Sequence, residues 1–175
     1  MSNHDSAQQQ ADTLDRVLGL VPGSVAYDAR HQRTKVIDAT QASEDLLLSA
    51  RIEGLSVEDR LLVALLACAL TPANELMHEY IQRLKALKVT DKLIDAVSQA
   101  NIQSLENGKL KQMLTFTHTL ITDPVKADKQ ALLTLKASGL TTPQITALAQ
   151  LIAFVSYQVR VAAGLKAMKA WGAQQ

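Results

Sequence analysis

The sequence predicts an all-α fold, a multi-helix bundle around two buried central helices, and three observations carry that prediction. Only seven glycines and four prolines punctuate 175 residues, so breakers are sparse. Ala, Leu, Gln and Lys, all strong helix formers, dominate the composition. Two segments, LLVALLACAL at 61–70 and ITALAQLIAFV at 145–155, are apolar on nearly every side, a pattern that suits a helix enclosed by other helices. The length, with 47% hydrophobic residues, fits one domain over 12–175. Residues 1–11 are polar and read as a disordered N-terminal tail.

Each element follows from local signals. A first helix runs from Thr13 to Leu20 and stops at Pro22-Gly23. Residues 24–50 carry Val25, Ala26, Val36, Ile37 and Leu46 to Leu48 and form one or two helices, with the internal break left open. Ser56, followed three residues later by Asp59, resembles a capping box and opens the first central helix. Thr71-Pro72 interrupts it, with Thr as cap and Pro at the first position of a helix over 72–88. That helix lines up Ala73, Leu76, Met77, Tyr80, Ile81, Leu84 and Leu87 on one stripe. Further helices cover about 91–100, 109–122 and 128–137, and the last runs from Thr142 to Lys169. The two central helices begin alike: Gly54-Leu55-Ser56 with Asp59 is matched, 85 residues later, by Gly139-Leu140-Thr141 with Gln144. This is either a weak internal duplication or shared capping chemistry.

Charge and cysteine content exclude several functions. A formal charge of +1 with singly scattered lysines does not suit a nucleic-acid binder. The longest apolar run, Leu61 to Leu70, is half of the roughly 20 residues that span a membrane, so no membrane association is expected. The beginning of the chain lacks the basic and apolar regions of a secretory signal, and a cytoplasmic location is the expectation. One cysteine rules out an intramolecular disulfide, a Cys-rich zinc site and a dithiol pair within the chain. No motif calls for a cofactor or a metal, and His4, His31, His78 and His118 are too widely spaced for a local ligand pair.

The quieter candidates cluster where the first central helix gives way to the next. Thr71, Asn74, His78 and Gln82 share a polar strip on one helical flank. A histidine within reach of Asp59 or Glu58 can relay protons near neutral pH; the alternative is a plain solvated face. Cys68, among Ala67, Ala69 and Leu70, reads as a core residue. His118 reads as exposed or capping. Gln150, Gln158 and Arg160 interrupt the last helix and call for hydrogen-bond partners between helices or between subunits, or else line a pocket.

The segment GLSVEDRLLVALLACALTPANELMHEYIQRLKAL resembles the core motif of the carboxymuconolactone decarboxylase family, which includes the alkylhydroperoxidase D-like (AhpD-like) proteins. TLDRVLGLVPGSVAYDARHQ and GLTTPQITALAQLIAFVSYQVRVAAGL look like flanking parts of an uncharacterised branch, extending the resemblance over about 13–165. Peroxidase members place a glutamate twelve residues before a Cys-x-x-Cys pair and a histidine four residues after the second cysteine. On that pattern His78 matches the histidine, Thr71 and Asn74 stand where the cysteines would be, and Asp59, with Glu58 beside it, matches the glutamate. A two-residue displacement in the loop leaves the register open. The resemblance implies an antioxidant or acid–base enzyme of small molecules, and a homo-oligomer. The missing cysteines remove the dithiol cycle, leaving as alternative a non-catalytic scaffold that keeps the fold.

Overall fold

The computed structural model describes residues 12–172; the expected tail at 1–11 lies outside the described residues. Regular structure among them is entirely helical: α1 (Thr13–Leu18), α2 (Val25–His31), α3 (Thr34–Leu47), α4 (Val57–Ala69), α5 (Asn74–Ala86), α6 (Asp91–Ser98), α7 (Lys109–Thr122), α8 (Lys129–Ala137) and α9 (Thr142–Gly172). Single 3-10 turns lie at Ile102–Ser104 and Pro124–Lys126.

α4 is the axis of the bundle. Every residue from Arg60 to Cys68 is buried, and α5, α6, α7 and α9 pack around it. Each fully buried leucine there contributes about 1.5–3 kcal/mol relative to an exposed one. Ser56 caps the helix, its Oγ accepting from the Asp59 amide at 2.9 Å. Arg60 is buried because its guanidinium replaces water with main-chain carbonyls: it donates to Leu47, at the end of α3, and to Ser49 and Ser56 in the connection. α9 is the second central helix, burying Leu148, Leu151, Ile152, Val155, Gln158, Ala162 and Leu165. With 31 residues, it is long and apolar enough to cross a membrane. Here that apolar stripe packs on α1, α2, α3, α4 and α8.

The two similar cap motifs meet in space. Gln144 Oε1 accepts from the Thr141 amide at 3.0 Å, and the same side chain fills the space beside Gly54. A Cβ on Gly54 would lie 1.8 Å from Gln144 Nε2, at a backbone φ of +75°, so a side chain there would be strained and would displace Gln144. Other boundaries differ from the sequence reading. α1 stops earlier, at Gly19, which adopts the left-handed conformation and returns its amide to the helix. The open stretch 24–50 is two helices broken at Gln32-Arg33, without proline or glycine. Thr71 does not cap α5: its Oγ1 donates to the Ala67 carbonyl at 2.8 Å and closes α4, so α5 starts only after Ala73. Leu87, placed on the buried stripe, is 48% exposed because α5 has ended.

A buried carboxylate ties these layers together. Glu44 of α3, 1% exposed, accepts from Gln158 Nε2 of α9 at 2.6 Å and from the Thr13 hydroxyl of α1 at 3.1 Å. Arg83 of α5 reaches it at 3.1 Å, and the Tyr80 hydroxyl of α5 donates to Gln158 at 3.1 Å. Gln158 thus finds the inter-helix partners its buried position requires.

Burial pushes the Glu44 carboxyl above its ordinary value of 4.5, against the opposing pull of Gln158 and Arg83. The folded protein therefore holds that proton more tightly than the unfolded chain, and stability from this group is lost as pH rises through and above 4.5. In urea titrations across pH, the stability of the wild type relative to Glu44→Gln is expected to fall as pH rises; a rise would contradict it. Glu44→Ala leaves the Gln158 amide and Thr13 hydroxyl unpaired and is expected to destabilise by about 3 kcal/mol.

Candidate functional site

The structure brings together part of the expected strip. Asn74, His78 and Gln82 line a shallow groove with Arg16, Val17, Glu75 and Glu79, and all three are exposed. Thr71 does not line it. Glu58 and Asp59 sit in the first turn of α4, at the far end of a thirteen-residue helix about 20 Å long, and neither lines the groove. The carboxylates that do are already engaged. Arg16 donates to both oxygens of Glu79, at 2.7 and 2.9 Å, and Lys166 pairs with Glu75 at 2.6 Å. These partners hold both carboxyls below the ordinary range.

Displaced by two residues, the dithiol pattern falls instead on Leu61, Ala73, Leu76 and Tyr80. All four are buried, at 1%, 6%, 1% and 0% exposure. In neither register does the α4–α5 junction present a thiol. Cys68 is 1% exposed, and burial pushes its thiol up to about 12. His118 is half-buried and meets the Thr122 hydroxyl one turn on, at 3.3 Å. Gln150 and Arg160 are exposed, the latter donating to the Ser156 carbonyl.

A second cluster lies where α1, α2 and α3 meet. His31 Nε2 stands 2.6 Å from Asp15 Oδ2, and the His31 ring stacks on Tyr27, centroids 3.7 Å apart and planes 12° from parallel. Arg30 binds the other oxygen of Asp15 at 2.6 Å and both oxygens of Asp12 at 2.6 and 2.9 Å. Asp15 is 4% exposed and His31 27%. Burial, together with the neighbouring Asp12, raises the Asp15 carboxyl, although His31 and Arg30 oppose it. Burial acts on Asp12 in the same sense, but the Arg30 guanidinium and the hydrogen bonds with Asp15 together hold that carboxyl below its ordinary value. Asp12, Asp15 and His31 offer ligand atoms within 4.8 Å of one another. The guanidinium already binds both carboxylates, so the set fits an ion-pair network better than a cation site.

His31, Asp15 and Tyr27 border a cavity of about 400 Å³, within the range of small-molecule sites, about 300–1,000 Å³. The sequence reading missed this cluster because Asp15 and His31 lie 16 residues apart on different helices. The available signal was an acidic pair, Asp12 and Asp15, at i, i+3, answered by adjacent Arg30 and His31 at the end of the next helix.

No family model matches the sequence, and no curated protein matches it. A similar solved structure is that of an uncharacterised peroxidase-related protein from Silicibacter sp. TM1040, with a TM-score of 0.70 and 15% identity, covering 76% of this chain and 69% of that one. The chain has the fold of that peroxidase-related protein. The all-α bundle expected from the sequence is thereby established, and a shared fold at this identity carries no activity with it.

The burial of Cys68 has a direct consequence for labelling. A thiol reagent such as 5,5′-dithiobis(2-nitrobenzoate) is expected to leave it unmodified in the native protein and to titrate one thiol per chain in denaturant. Rapid native labelling would mean that α4 is accessible.

Proposed function

We propose that this chain is a carboxymuconolactone decarboxylase-like, AhpD-like protein that has left thiol redox chemistry and acts on a small molecule through acid–base groups. The observation that carries the reading is the α4–α5 junction. Thr71 and Asn74 replace the two thiols in one register, buried Ala73 and Leu76 in the other, and Cys68 is sealed in the core. Thiolate attack on a peroxide followed by disulfide formation needs two reactive sulfurs. In this proposal His78 and Asn74 serve as groove residues, while Asp59 or Glu58 takes no part with them within one chain.

The proposal includes a cytoplasmic homo-oligomer. α9 supports it: the face opposite its buried stripe exposes Ala153 and Tyr157, and Tyr157 borders a groove with exposed Val36. A second reading, a non-catalytic scaffold or interaction module, is favoured by the open, exposed setting of His78.

With hydrogen peroxide or an organic hydroperoxide and a dithiol reductant, the protein is expected to show no turnover above background, and Cys68→Ser to behave identically. Turnover abolished by that substitution would overturn the reading. Light scattering at micromolar concentration is expected to give a mass that is a multiple of 19.0 kDa; a monomer would remove the oligomer from the proposal.

A further inference from the structure

We propose that the cavity between α1, α2 and α3 is a proton-transfer site for a small uncharged carbonyl compound, with His31 as its base and Asp15 as the residue that positions His31. The proposal stands apart from the family assignment and from the groove at His78.

The chemistry follows from the arrangement. Asp15 is buried and fixed by Arg30, so it can orient His31 but is poorly placed to meet a ligand itself. When Nε2–H donates to Asp15, the neutral ring keeps its lone pair on Nδ1. A carboxylate behind the ring also stabilises the imidazolium formed once a proton is taken, the logic by which a buried acid supports a histidine base. The stacked Tyr27 holds the ring plane. Tyr27 and Thr34 border the same cavity, and among the described residues no hydrogen bond engages either hydroxyl. One base and two donors around one space are the groups enolisation requires. His31 takes the proton from the carbon α to the carbonyl, that electron pair becomes the C=C bond of an enolate, and a hydroxyl supports the oxygen. Return of a proton from the imidazolium restores the carbonyl compound, and nothing is oxidised or reduced.

The charges set the ligand class. Asp12, Asp15 and Asp38 line the cavity, and the Arg30 cation is fully engaged by the first two. Among the described residues no lining lysine or arginine is left to receive a carboxylate or a phosphate. Leu20, Pro22 and Ile37 supply the apolar wall, which suits an uncharged, partly apolar molecule.

Cyclohexanone and cyclohexanecarboxylate are suitable probes. In D2O, loss of the α-proton signals of cyclohexanone is expected to be at least tenfold faster with the wild type than with His31→Gln, and His118→Gln is expected to match the wild type. Exchange equal in wild type and His31→Gln would overturn the proposal. Ligand titration followed by NMR is expected to show the carboxylate binding at least tenfold more weakly than the ketone; equal or tighter binding of the carboxylate would overturn the ligand class. Asp15→Asn keeps the side-chain volume and supplies a second variant should His31→Gln fail to fold. It is expected to change the His31 tautomer in 15N spectra and to slow exchange by a similar factor, whereas a purely structural Asp15 would leave both unchanged in the folded variant. Peroxide turnover enters none of these readings.

Discussion

The placement of α3 depends on one buried carboxylate. α3 is fourteen residues long and buries only Ile37 and Glu44, too little apolar area to fix a helix by packing alone. What fixes it is polar. Glu44 draws in Thr13, Arg83 and Gln158 from three other helices, and no buried side-chain nitrogen or oxygen among the described residues lacks a partner. In so dry a setting each of these bonds is worth more than at the surface, and losing one is costly. One turn away, Gln41 accepts from the Thr13 amide at 2.8 Å. The next positions along the same face, Asp38 and Thr34, form the wall of the α1–α2–α3 cavity. The network that holds the bundle therefore also fixes one side of its best-defined cavity.

α1 is the piece through which these connections pass. A six-residue helix has no stability of its own in water, yet consecutive side chains on α1 address separate neighbours. Thr13 bonds to α3, Asp15 to α2 and Arg16 to α5, while Lys169 of α9 donates to the Leu18 and Gly19 carbonyls at its end. Its N-cap Asp12 serves twice, accepting from the Leu14 amide and pairing with Arg30. The cavity lined by Asp12, Asp15 and His31 is thus built on a helix anchored from four directions, the rigid support that an oriented base requires.

What was legible in the sequence were features that act locally. Ser56 announces α4 because its hydroxyl meets an amide three residues on, and Asp128 announces α8 in the same way. α7 covers the expected 109–122, bounded by Asn107-Gly108 and Asp123-Pro124. The break at Gln32-Arg33 carries no such mark: no side chain caps α3 there. Thr71 carried a false mark, since a threonine can close the preceding helix as readily as open the next. The site divides along the same line. The His78 strip is a helical face and could be read from periodicity. The Asp15–His31 and Glu44–Gln158 contacts join residues 16 and 114 positions apart, and nothing local records such pairings.

The single cysteine is sealed by the packing that builds the core. A thiol with a pKa of about 12 is ionised in about one molecule in 10⁵ at pH 7, and the thiolate is the reactive form. α4 excludes water along its whole middle, and the helix that supplies the bundle's main apolar contacts cannot also expose a nucleophile there. Around it, Leu61, Ala73, Leu76 and Tyr80 close the α4–α5 interface, with the Tyr80 hydroxyl bonded to Gln158. Opening a reactive pocket at that interface would expose leucines and strip Tyr80 of its partner, so the interior favours packing over reactivity. The proton-active groups accordingly lie at the periphery, where α1 and α2 can hold a histidine against a buried carboxylate without breaching the core.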